Sequence, residues 1–494
     1  MNTENVTKKT ARPSLLRNWI SLTGLVIMAG SLFSFLLLFV MDMTAHFSSP
    51  YIGILTYFVA PGFLIFGVSV TILGSWLQHR KQAKSPGLLL AVAVDLSRTR
   101  DRRVMGVFIV CAVTFLLVSA IGSYQTYHLS ESTQFCGRAC HEPMKPEFTA
   151  YLNSPHARVA CTECHVGSGA QAFVAAKVNG MHQLICVFTG KYQRPIKTPI
   201  KNLRLAQETC EQCHWPQRFV DNLDRTYSHF LADETNTPFS VRLILKVGGG
   251  EPMHGQPGGI HWHMNLANKV EYIATDEKRQ VIPWVRLTDK NGTVTEYRTK
   301  DFKDDFNKYV VRRMDCLDCH NRPAHRFSSP NDAVDRALET GRIDHSLPWV
   351  KSNAVAVLTQ TYSTEPEALE KIAGTLREKY SGAAQVASLI SEVQRIYSAN
   401  FFPEMKADWR AYPENINHKD WAGCFRCHDG NHKAPDGKRS IQASDCNSCH
   451  TILAQGSGEQ LTKLDAKGHS FFHIDAINED FTCNSCHTGA FPKQ

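Results

Sequence analysis

The sequence predicts three transmembrane α-helices followed by a mostly α-helical and irregular outer domain that carries a small β insert. Three observations predict it. Three long apolar stretches occupy the first quarter of the 494 residues. Seven cysteine–histidine motifs follow, all after the last apolar stretch. Between the motifs lie one segment with strand-like alternation and another with helical periodicity.

The apolar stretches run from about Trp19 to Val40, Tyr51 to Leu77 and Val104 to Gly122. Each is long enough to cross a hydrocarbon core as a helix. Pro61-Gly62 predicts a kink or a close helix approach within the second. The first is too long for the apolar part of a cleaved signal peptide and lacks a small-residue cleavage site, so it reads as an anchor. Lys8, Lys9, Arg12 and Arg17 precede the first stretch; Arg80, Lys81, Lys84, Arg98, Arg100, Arg102 and Arg103 separate the second from the third. The loop 42–50 has no Lys or Arg. The positive-inside rule then puts the N-terminus in the cytoplasm and everything after the third span on the other side of the membrane. The formal charge of +8 divides as +7 over residues 1–103 and +1 over the rest. Basicity is an orientation signal here, which removes nucleic acid from the expected partners.

The motifs read Cys136-Gly-Arg-Ala-Cys140-His141, Cys161-Thr-Glu-Cys164-His165, Cys210-Glu-Gln-Cys213-His214, Cys316-Leu-Asp-Cys319-His320, Cys424-Phe-Arg-Cys427-His428, Cys446-Asn-Ser-Cys449-His450 and Cys483-Asn-Ser-Cys486-His487. Two thiols add to the two vinyl groups of one porphyrin, and the adjacent His is held as an axial iron ligand. Zinc sites and thioredoxin-like pairs do not require a His after every second Cys. The class is therefore a membrane-anchored multihaem c-type cytochrome with seven covalently attached haem c groups. Fourteen of the 16 cysteines are used. Cys111 reads as a small buried hydrophobe, and Cys186 has no evident partner, so no disulfide framework is expected.

The motifs divide the outer region. Residues 1–128 form the anchor, 129–235 hold haems one to three, 236–312 the β insert, 313–330 haem four, 331–412 a helical segment and 413–494 haems five to seven. Strands are expected at Ser240–Val247, Val281–Leu287 and Gly292–Arg298, with a hairpin at Asn291-Gly292. Asn331 is expected to cap a helix over 332–340, a second helix to start at Ser363-Thr-Glu-Pro, and a third to cover Ala384–Ser398.

Low-spin electron-transfer haems need a second axial ligand. His156, His182, His263, His325, His418, His432 and His473 are the candidates, with His229, His254 and His261 in reserve. His325 and His432 follow their own motif His too closely to reach the far face of that haem, so each is expected on a neighbouring one. His156 and His418, five residues before a motif, would serve the same way.

Phe135-Cys136…His141-Glu-Pro-Met144, Ser154-Pro-His156, Cys161-Thr-Glu-Cys-His165-Val-Gly and Lys177 with Gly180 resemble the NapC/NirT family of membrane-anchored, quinol-oxidising cytochromes over roughly 105–220. The seven-motif, three-span layout is similar to the inner-membrane Imc-type cytochromes of metal-respiring bacteria such as Geobacter. The resemblance implies oxidation of menaquinol and transfer of electrons to periplasmic c-type cytochromes or a separately encoded redox partner. It also implies that Met144 ligates the first iron and that Lys177 lies in a quinol pocket, where His182-Gln183 replaces the family's acidic group. The chain departs from the family in its three spans, the extra residue in its first motif, and the gap of about 100 residues before the fourth. Two other readings stand beside this one, a terminal reductase of a nitrogen or sulfur oxyanion and a passive membrane-tethered electron-transfer hub. A reductase needs an iron with an open site.

Overall fold

The structure, a computed structural model, describes residues 18–44, 59–84, 97–138, 141–166, 170–200, 203, 205–215, 219, 221–249, 258–264, 268–303, 306–442, 448–473 and 483–489. Two compact units result, one of residues 1–135 with 165–183, the other of 136–164 with 184–494.

In the first unit, α1 (Trp19–Thr44) and α3 (Thr99–Glu131) cover the first and third apolar stretches, and α2 (Ala60–Lys84) covers the second from Ala60 on. Among the described residues, α1 and α2 each contain a window long and apolar enough to cross a membrane. They pack on small residues, as helices do where lipid removes any hydrophobic drive between them. A Cβ on Gly24 would lie 2.6 Å from the Thr71 backbone nitrogen, and one on Gly74 would lie 2.6 Å from that of Ser21. The Ser21 hydroxyl donates to the Thr71 carbonyl at 3.2 Å, and the Ser31 hydroxyl to the Ala60 carbonyl. Phe33, Ile65 and Ile72 stay exposed on the outer faces. The kink expected inside the second stretch is absent from α2. Pro61 sits in the first turn, where its missing N–H costs no intrahelical bond. The segment 51–58 lies outside the described residues.

The second unit begins with α4 (His141–Leu152); α5 (Ala170–Phe188) belongs mostly to the first unit and ends in the second. Two sheets follow. One pairs β1 (Leu223–Phe230) with β2 (Pro238–Leu245), and β2 with a strand at His450–Gly456, all antiparallel. The other orders β5-β4-β3-β6 from β3 (Lys269–Ile273), β4 (Trp284–Thr288), β5 (Val294–Arg298) and β6 (Arg312–Arg313). The strands thus reach beyond the expected insert 236–312, and β7 (His450–Gly456) starts on a motif histidine. Strand pairing across about 200 residues leaves no local signal. The expected hairpin forms with Gly292 at φ 79°.

Four helices make the largest core: α6 (Pro330–Glu339), α7 (Val350–Thr359), α8 (Glu365–Lys379) and α9 (Val386–Asn400). Val334, Val350, Ala354, Ala368, Ile372, Leu376 and Val393 are fully enclosed there. Ser329, not Asn331, caps α6, accepting from the Asp332 N–H, because Pro330 takes the first helical position. Thr364 caps α8. Sequence reading missed α7. Its N-cap is Trp349 in the left-handed region with no side-chain cap, and a buried Lys351 breaks its apolar face.

Candidate functional site

Four motifs close on one local hydrogen bond of the same kind. The His backbone N–H donates to the carbonyl of the first Cys in His214–Cys210 (2.8 Å), His320–Cys316 (2.8 Å), His428–Cys424 (3.0 Å) and His487–Cys483 (2.8 Å). One helical turn therefore presents both thiols and the imidazole together. In the fourth motif Asp315 caps the turn, accepting from the Leu317 N–H, while Asp318 accepts from the Asp315 N–H.

Among the described residues, five motif histidines face a second histidine in ring contacts. Ring centroids lie 6.1 Å apart for His156 and His214, 6.3 Å for His261 and His320, and 5.8 Å for His263 and His428. They lie 6.3 Å apart for His418 and His450, and 5.9 Å for His473 and His487. Two imidazole nitrogens each about 2 Å from one metal, with each ring centre about 1 Å further out, give a separation of about 6 Å. Ring angles run from 7° to 85°. Direct stacking would hold them to one geometry; axial ligation leaves rotation about the axis open.

Hydrogen bonds orient several rings through Nδ1, which leaves Nε2 as the ligating nitrogen. His156 uses the Pro323 carbonyl (3.2 Å), His261 that of Val247, His263 that of Ile260 (2.9 Å) and His428 that of Gln442 (3.4 Å). Burial lowers the pKa of His261, His320, His418, His428, His450 and His487 below the ordinary imidazole value. Burial thus favours the neutral ring, the form that binds a metal. His418 and His450 each bury a ring nitrogen that no protein group satisfies. Paired thiols beside facing neutral imidazoles fit haem c, which supplies a one-electron iron couple when bound.

The structure sorts the expected ligands. His156, His263, His418 and His473 each meet a motif histidine. His156 and His418 do so with the motif after the one they precede. His261, held in reserve, takes the place opposite His320. It sits two residues from His263 on the turn Ile260–Met264, so one turn serves motifs four and five.

His432 is corrected. Its Nδ1 bonds the Asp429 carboxylate (2.8 Å) and its Nε2 the Ile282 carbonyl (2.6 Å), so neither nitrogen is left for iron. It braces the second sheet against motif five. His229 meets Asp335 at 3.2 Å. His325 Nδ1 bonds the Glu147 carbonyl (3.0 Å) on α4. Met144 is half-buried on α4, which His141 begins; His182 is exposed on α5, which also carries Lys177 and the half-buried Cys186. Cys140, Cys446 and His254 lie outside the described residues.

Sequence reading missed the side chains that brace the motifs. Arg322 donates to both Glu147 carboxylate oxygens (2.9 and 3.2 Å), lies 4.1 Å over the Tyr412 ring, and bonds the His325 carbonyl at 2.7 Å. Asp318, inside motif four, accepts from the Tyr272 hydroxyl and from Arg279 at 3.1 Å. The one available signal was an acidic residue inside a haem motif followed by an arginine in the next.

Facing imidazoles beside paired thiols, on a chain with apolar membrane-length helices, define a membrane-bound multihaem c-type cytochrome of electron transfer. Residues 98–214 match the N-terminal region of the NapC/NirT cytochrome c family. The chain is 39% identical over 503 residues to Cytochrome c-type protein ImcH of Geobacter sulfurreducens, which covers 98% of this chain and 97% of that one. It belongs to this family of Imc-type membrane cytochromes. No solved structure matches it.

Proposed function

We propose that this protein is a seven-haem quinol dehydrogenase of the inner membrane. It oxidises menaquinol and delivers the electrons to periplasmic c-type cytochromes or another redox partner in anaerobic, extracellular respiration. The carrying observation is the set of five facing imidazole pairs. With both axial positions taken by the protein, those sites suit electron transfer and not substrate reduction, which needs an open position. The positive-inside asymmetry supports three spans, a cytoplasmic N-terminus and a periplasmic haem domain.

Menaquinol gives up two electrons and two protons. A lysine near the membrane surface stabilises the quinol oxygen as its proton leaves, and Lys177 on α5 stands at the position that related cytochromes use. His182, one turn further along α5, is the accompanying proton acceptor. Met144 and His325 are the proposed ligands for the first two irons. The test is to mix the purified holoprotein with a reduced menaquinone analogue and follow the haem absorption bands. Rapid reduction is expected. Reduction by dithionite but by no quinol ends this reading and leaves the passive hub.

A further inference from the structure

The fourth motif stands alone in the sequence, about 100 residues from either neighbouring cluster. It is not alone in space. Arg426, inside motif five, donates from Nη2 to the Asp318 carbonyl at 2.8 Å. It donates from Nη1 to the Arg279 carbonyl at 3.0 Å and from Nε to the Gly423 carbonyl at 2.8 Å. Arg279 returns to motif four, its Nη1 3.1 Å from the Asp318 carboxylate, which is nearly fully buried. Asn415 adds a second bond to the Asp318 carbonyl at 3.1 Å.

Two backbone features show that this bridge is constructed at a cost. Arg279 adopts φ 55°, a region a branched-out side chain rarely enters, and that turn aims its carbonyl at Arg426. Asp276 holds the turn by accepting from the N–H groups of Gln280 (2.8 Å) and Val281 (2.7 Å). Gly423 adopts φ 51°, and a Cβ there would overlap the Asn417 carbonyl oxygen at 1.4 Å. The distal ligands repeat the coupling, since His261 and His263 reach motifs four and five from one turn.

We propose that Arg426 and Arg279, bound through Asp318, form a positioning and potential-setting bridge that holds the fourth and fifth haem-attachment turns as one rigid pair. The solitary fourth motif is thereby tied to the C-terminal cluster. On its other side Cys316 lies beside Cys210 of motif three. Motif four is thus the junction between the two clusters. A permanently charged guanidinium held between two haem-attachment turns would favour the less positive, ferrous state of the haems bound there.

The inference rests on haem c at these motifs and not on quinol as donor. The test is a spectroelectrochemical titration of the full-length holoprotein, which needs no quinol. His320→Met and His428→Met first mark the two components by displacing each upward in potential. Arg426→Gln should then move those same two of the seven components to lower potential, with seven haems retained by mass. Arg426→Lys, which keeps the charge, should restore most of the shift. Arg279→Gln is the second variant should Arg426→Gln not accumulate, and should lower the same pair. A shift in one component only, in other components, or in none overturns the bridge.

Discussion

The imidazoles of His261 and His320 lie nearly parallel, 7° apart in plane, with centroids separated by 6.3 Å. Parallel rings in contact would sit closer; the spacing is that of two ligands on one metal. His261→Ala should therefore convert one haem toward high spin while the haem count stays that of the parent protein, because both thioether bonds survive. Electron paramagnetic resonance and whole-protein mass check it. His432→Ala is the contrast. It should leave the spin state unchanged and cost about 1–3 kcal/mol of stability, through the stranded Ile282 carbonyl and Asp429 carboxylate. A high-spin signal in His432→Ala would reverse the two assignments.

Lys351 and Asp335 form an ion pair whose side chains are only 4% and 5% exposed. Asp335 also accepts from the Phe230 N–H at 3.1 Å and meets His229, so it ties α6 to β1. Lys351→Ala strands a buried carboxylate. It should destabilise the helical segment by about 3–5 kcal/mol. Denaturant unfolding followed by far-ultraviolet circular dichroism measures this, and a loss below about 1 kcal/mol would show the pair to be dispensable.

Gly74 of α2 leaves no room for a side chain against Ser21, whereas nothing lies within 4 Å of a Cβ on Gly62. Gly74→Leu should split α1 from α2 and lower the thermal midpoint in detergent micelles. Gly62→Leu, on the same helix, should leave the midpoint near that of the parent protein. Equal effects would mean that helix propensity, not the α1–α2 contact, is being measured.

Lys177→Ala should slow reduction by menaquinol at least about tenfold, the value of a charged hydrogen bond, while dithionite reduces every haem as before. Lys177→Arg should rescue poorly, since its planar fork offers a different donor geometry. Normal quinol kinetics in both variants would remove Lys177 from the site and assign it to lipid phosphate.

Cys213→Ala should cost one haem at a motif whose first cysteine lies beside that of motif four. Electrons from the membrane side should then stall before the C-terminal cluster, which stopped-flow absorbance reads as partial, slow reduction. Full reduction at the parent rate would place that haem off the path.

Chemistry written in adjacent residues was legible. The motifs close on hydrogen bonds four residues apart, the helix α8 follows its cap, and α9 follows its apolar stripe. The strand at β7 and the helix α7 were not legible. One pairs with a strand about 200 residues away, and the other starts without a capping side chain. The choice between His261 and His432 shows the same limit. His432 lies four residues after a motif and His261 far from any, yet only the fold reveals that His432 spends both nitrogens on the protein.

The sequence by itself determined the covalent haem c cofactor, the apolar anchor-like helices and the family, because each depends on covalent spacing or on composition along a short stretch. The tertiary structure alone decided which histidine faces which motif, that one turn serves two motifs, and that Arg426 binds Asp318 from 108 residues away. Those relations depend on where distant backbone segments come to lie, and no local pattern of side chains encodes a distance across the fold.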